Sequence, residues 1–67
     1  MQIESIKEVL MTRDGMSEYE ADQLIKDAAV DLKKALLDGE FEYADNICAE
    51  WFGLEPDYLP QLIQEIS

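Results

Sequence analysis

The sequence predicts an all-α domain, a small bundle of three helices plus a short fourth helix at its C-terminal end. Three observations carry that prediction. Apolar residues recur at three- and four-residue spacings over four segments, and no alternating run is long enough to pair as a strand. A Ser-x-x-Glu box, Ser17 with Glu20, opens the longest segment. All three glycines, Gly15, Gly39 and Gly53, fall between segments, and both prolines, Pro56 and Pro60, lie at the start of the last one.

The first helix is expected over residues 2–12. Ile3, Ile6 and Leu10 share one face, Val9 stands beside Leu10, and Glu4, Lys7 and Glu8 occupy the other side. The stretch RDGMSEYEA then breaks and restarts the pattern. Gly15 supplies a position where positive φ is easy. The Ser17 hydroxyl can accept from the Glu20 amide while the Glu20 carboxylate reaches back to the Ser17 amide, and Met16 and Ala21 stand where a hydrophobic staple would. Glu18, Glu20 and Asp22 place negative charge at the positive end of the helix dipole.

The second helix is expected over 18–38. Ala21, Leu24, Ile25, Ala28, Leu32, Ala35 and Leu36 form its apolar stripe, Lys33 and Lys34 favour its C-terminal end, and Gly39 stops it. At 1.5 Å per residue it is roughly 30 Å long, enough for the other helices to pack along it. Val30 and Leu37 lie off the stripe, seven residues apart; they either widen the buried face or form a self-association seam.

The third helix is expected over 41–52. Phe41 and Ala44 begin its buried face and Ile47, Cys48 and Trp51 continue it, leaving Glu42, Asp45, Asn46 and Glu50 outside. Gly53 ends it, with Leu54 folding back as the accompanying apolar contact. In the last segment Pro56 is assigned to the turn and Asp57 to the N-cap. Pro60 then becomes the third helical residue, whose missing N–H the helix does not use. Leu59, Leu62, Ile63 and Ile66 supply the apolar face.

With 67 residues the chain makes a single helical domain, residues 1–67, that buries only about 60% of its unfolded surface. One cysteine, Cys48, allows no intrachain disulfide, and the absence of histidine excludes a zinc site of the usual kind within one chain. The apolar 48% must hold the fold. No stretch approaches the roughly 18 apolar residues of a membrane span, and the N-terminal residues lack a basic start followed by an apolar run. With the lone cysteine, these features lead us to expect a cytoplasmic protein.

The net charge is −11, from 16 acids and 5 bases. The bases Lys7, Arg13, Lys26, Lys33 and Lys34 all lie in residues 1–34, where eight acids leave −3; residues 35–67 carry eight acids and no base, hence −8. Such a chain is repelled by nucleic acid backbones and anionic membranes, so an electrostatic partner should present a basic surface.

No catalytic constellation appears. Ser5, Thr12, Ser17 and Ser67 have no histidine to activate them, and Cys48 sits in an apolar stripe without a cationic neighbour in sequence. A carboxylate pair of the glycosidase kind needs a cleft larger than this chain builds. No glycine-rich phosphate loop is present. The stretch LLDGEFEYADN resembles a calcium loop only superficially. An EF-hand loop places its glycine sixth, after three oxygen ligands, whereas here Gly39 follows the first acid at once and bulky Phe41 and Tyr43 separate the others. No enzyme activity, cofactor or metal is expected. The third segment, the candidate recognition helix of a helix-turn-helix, carries no base for phosphates, which argues against direct nucleic acid binding.

What remains is recognition of another protein. Five of the six aromatics, Phe41, Tyr43, Trp51, Phe52 and Tyr58, lie in the acid-only half. Aromatic anchors beside carboxylates could steer and hold a basic partner, and the candidate contacts are Glu40, Glu42, Tyr43, Asp45, Glu50 and Asp57. The alternative is a structural, self-associating helical module without a ligand. The oligomeric state is expected to be monomer or weak homodimer.

Two strings, RDGMSEYEADQLIKDA and FGLEPDYLPQLI, carry a pattern R-D-G-x-S-x-x-E-A followed by G-L-E-P-D-Y. The matching residues are Arg13, Asp14, Gly15, Ser17, Glu20 and Ala21, then Gly53, Leu54, Glu55, Pro56, Asp57 and Tyr58. The pattern resembles a family of small acidic all-helical proteins of prokaryotes and their phages, of unknown function. The resemblance implies the helical fold and a phage or mobile-element setting, with no activity attached. Together with the charge, it leads to the expectation of a phage or mobile-element inhibitor or adaptor that docks on a basic protein.

Overall fold

The computed structural model describes residues 4–66. They form an all-α structure with no strand among the described residues: α1 (Ile6–Arg13), α2 (Glu18–Leu37), α3 (Phe41–Asp45), α4 (Ile47–Phe52), a 3-10 turn (Pro56–Tyr58) and α5 (Leu59–Glu65). The spine is α2. Its length of roughly 30 Å nearly matches the 33 Å longest dimension, and α1, α3, α4 and α5 pack against it.

The capping box of α2 forms in full. Ser17 Oγ accepts the Glu20 N–H at 3.2 Å and Glu20 Oε1 accepts the Ser17 N–H at 3.3 Å. At the other end Gly39, at φ +77°, closes a Schellman motif: its N–H donates to Leu36 O and the Glu40 N–H to Ala35 O. The buried residues of α2 are Ala21, Ile25, Ala28, Ala29, Leu32 and Ala35. Leu36 and Leu37 are exposed, so they finish the helix without extending its core face.

Three expectations are corrected. First, α1 starts at Ile6 rather than residue 2, because Ser5 is extended (φ −71°, ψ 153°) and its hydroxyl accepts the Glu8 N–H at 3.1 Å. Residues 2 and 3, and with them the expected role of Ile3, lie outside the described residues. Gln61 of α5 completes this cap from across the fold. Its Oε1 accepts the Ile6 N–H at 2.9 Å and its Nε2 donates to Glu4 O at 3.1 Å.

Second, the single third helix is two short ones that meet at Asn46. The Asn46 side-chain amide donates to Glu42 O at 3.0 Å, the acceptor its own backbone N–H would use in a continuous helix. That N–H bonds Tyr43 O instead, tightening the turn and re-aiming α4. A bundle of three helices plus a short fourth thus becomes five helices, all but α2 short.

Third, Asp57 does not cap the last helix. Pro56 opens the 3-10 turn, Asp57 lies inside it without a side-chain cap bond, and α5 begins at Leu59 with Pro60 second. Pro60 is still within the first turn, where an absent N–H costs nothing.

The core combines Ile6, Leu10, Ile25, Leu32, Ile47, Cys48, Phe52 and Leu62 with the alanines of α2 and Ala44. The alanines let α1, α3 and α5 approach the spine closely. Phe52 is buried and Trp51 only half-buried, the reverse of the expected emphasis on Trp51.

Candidate functional site

The candidate contacts lie on the segment that leaves the Schellman turn of α2. Glu40 is the N-cap of α3, Glu42 and Tyr43 lie on α3, and Asp45 ends it. Glu50 is exposed on α4. All five are exposed. Gly39, Glu40, Phe41, Glu42 and Tyr43 line one open depression. Asp57 is exposed in the 3-10 turn, which packs mainly on α4 and α5. The structure therefore groups Glu40, Glu42, Tyr43, Asp45 and Glu50, and leaves Asp57 apart.

Phe41 overturns an expectation. Instead of starting the buried face of the third segment it is 62% exposed, between Glu40 and Glu42. The break at Asn46 explains this: α3 is a single turn, and only Ala44 of its five residues is buried. Tyr43 is exposed too, but its hydroxyl is engaged, since it donates to Asp31 Oδ2 on α2. Trp51 Nε1 donates to the same oxygen at 3.0 Å. These two donors, Tyr43 first, hold the Asp31 carboxyl below the usual aspartate range, and Asp31 in turn pushes the Tyr43 phenol above its ordinary value.

Asp31 is the residue that sequence reasoning missed. It sits one step off the buried stripe, between Val30 and Leu32, but its partners are 12 and 20 residues away along the chain. No local pattern announces such a contact.

A second contact also joins distant parts. Arg13 makes a bidentate pair with Asp14, Nε to Oδ1 and Nη2 to Oδ2 at 2.9 Å each, and Nη2 also donates to Phe52 O at the C-terminus of α4. The strings RDG and GLEPDY, far apart in sequence, therefore meet in space around Arg13, Phe52 and Gly53.

The carboxylates of Glu40, Glu42, Asp45, Glu50 and Asp57 form no ion pair among the described residues; the pairs present are Lys7 with Glu18 and Asp22, and Arg13 with Asp14. No group of three acidic or sulfur side chains converges on a common cation position among the described residues, and no described helix is long and apolar enough to cross a membrane. No protein-family model, curated protein or solved structure matches this chain.

Proposed function

We propose that this domain is a protein-binding module whose acidic corner, at α3 and the start of α4, docks on a basic surface of another protein. The observation that carries the reading is Phe41: a large aromatic, 62% exposed, flanked by Glu40 and Glu42, whose carboxylates have no cation of their own among the described residues. Such a ring gains from burial in a partner's pocket, and unpaired acids around it steer and orient a cationic surface. Tyr43 has its hydroxyl tied to Asp31, so it offers a ring held in place rather than a free hydrogen-bonding group. Glu42, Asp45 and Glu50 extend the acidic rim; Asp57 contributes only if the partner reaches the 3-10 turn.

An inhibitor or adaptor that covers the nucleic-acid-binding face of a basic protein is one concrete form. The resemblance of the RDG and GLEPDY strings to small acidic phage and prokaryotic proteins favours that setting. No chemistry is assigned to the domain.

The test is capture from the native host followed by titration of the captured protein. Glu42→Lys with Asp45→Lys should abolish binding, Phe41→Ala should weaken it, and added salt should weaken the wild-type complex. Binding that survives the charge reversal, or is insensitive to salt, sinks the reading.

A further inference from the structure

We propose that the solvent face of α2 is a homodimer seam, on which a second copy of this chain packs with its own α2 antiparallel and level at Ala28. Three large apolar side chains of α2 point away from the core: Tyr19, Val30 and Leu37, 72%, 68% and 78% exposed. At about 100° per residue they and Lys26 fall within about 20° of one line, opposite the buried stripe. Five turns separate Tyr19 from Leu37, so this is a straight seam along nearly the whole helix.

The seam has a symmetry that selects its occupant. Tyr19 and Leu37 each stand nine residues from Ala28, and Lys26 and Val30 each stand two. A two-fold axis at Ala28 therefore lays Tyr19 of one copy on Leu37 of the other, and the stem of Lys26 on Val30, as a self-complementary surface requires.

The charges obey the same axis. Of the chain's five bases, Lys26, Lys33 and Lys34 make no ion pair among the described residues, and all three are on α2. Lys33 and Asp22 share one flank of the seam, and Lys34 and Glu20 the other. The axis sets like flank against like flank and reverses the direction. Lys33 then falls level with Gln23 of the second copy, next to its Asp22, and Lys34 falls within reach of its Glu20. Asp22 already holds Lys7 at 3.3 Å, and a carboxylate with two oxygens accepts both cations. The like charges that oppose the seam are Lys26, which approaches its own symmetry mate and Lys33 of the second copy near the axis, and Asp27, which lies nearly level with its own mate on the outer flank. The acidic corner lies on other elements and remains open for the function proposed above.

Sedimentation equilibrium at submillimolar protein tests the seam. A dimer is expected, and Val30→Lys should raise its dissociation constant by about 100-fold, because it would set a further ammonium against Lys26 of the second copy at the axis. Val30 is exposed, so circular dichroism should show that variant folded. Lys33→Glu should weaken the dimer, whereas Lys26→Leu should tighten it. Mixing Tyr19→Cys chains with Leu37→Cys chains under mild oxidation should give the mixed disulfide in preference to either homodisulfide. A wild-type monomer at these concentrations, a dimer indifferent to Val30→Lys, or preferential disulfides between two Tyr19→Cys chains would each overturn the proposal.

Discussion

Trp51 on α4 and Asp31 on α2 are joined by an indole N–H that donates to a carboxylate oxygen at 3.0 Å, and Tyr43 on α3 donates to the same oxygen. One half-buried carboxylate thereby fastens both short helices of the acidic corner to the spine. Neither α3 nor α4 could persist alone, since an isolated helix of fewer than about 12 residues is marginal in water.

Asp31→Asn should therefore destabilise the fold, by about 1 kcal/mol for charge-assisted bonds discounted for their partial exposure. It should also change the acid limb of the stability curve. The folded pKa of Asp31 lies below its ordinary value of 3.8, so its contribution is present above that value and is lost as pH falls through the folded pKa. Wild-type and Asp31→Asn melts should differ at neutral pH and converge at pH values below the ordinary aspartate range. A gap that stays constant into strong acid would show that the carboxylate charge is not what matters.

Tyr43 reports the same contact from the alkaline side. Its folded pKa lies above the ordinary 10.0, chiefly because of the bond to Asp31 and next because of desolvation. The contribution is present below the unfolded value and lost as pH rises through the folded one. Ultraviolet titration of phenolate should show a tyrosine ionising above the ordinary 10.0, and Asp31→Asn should bring it back toward that value.

The helical fold and the long second helix were legible because their signals are local. Ser17, Glu20 and Gly39 act on amides and carbonyls within a few residues, and the stripe of α2 repeats often enough to be read. Ser5 with Glu8 has the same spacing as Ser17 with Glu20, so the start of α1 was readable from the same rule. The division at Asn46 was not, because Asn46 acts through a side-chain bond to Glu42 O that competes with an equally allowed helical bond. The candidate site was legible in charge but not in anchoring: Phe41 follows the periodicity of a buried residue yet stands exposed, and Asp31 gains its role only when three elements assemble.

Arg13 should matter beyond its ion pair with Asp14. Its guanidinium also donates to an orphan carbonyl, Phe52 O, where the dipole of α4 favours a cation. Arg13→Lys keeps the charge but offers a single point of contact in place of a planar fork. Both Arg13→Lys and Arg13→Ala should lower the melting temperature, the alanine variant more. If Arg13→Lys melts with the wild type, the fork geometry contributes nothing and the charge alone suffices.

Gly39 isolates the cost of backbone handedness. A Cβ built there meets no heavy atom within 4 Å, so replacement introduces no clash, only an L residue at φ +77°. Gly39→Ala should cost about 1 kcal/mol by denaturant unfolding, and Gly39→Asn less, because asparagine tolerates the left-handed region better. Equal stability of the alanine variant would mean that the Schellman turn relaxes to another stop.

Cys48 can serve as the reporter for all of these variants. It is fully buried beside Ile47 on α4, and burial pushes its thiol pKa up. Both inaccessibility and the small thiolate fraction protect it from disulfide reagents in the folded state. Labelling should then proceed only through opened molecules, at a rate set by the population of the open form when closing outpaces reaction. A variant destabilised by about 1 kcal/mol should label about fivefold faster, since RT is about 0.6 kcal/mol. Gly39→Ala is the natural standard, because its effect is backbone strain remote from the thiol in sequence. Should wild-type Cys48 label at once under native conditions while the far-ultraviolet spectrum stays helical, α4 opens on its own, and the Asp31 contacts are too weak to hold it.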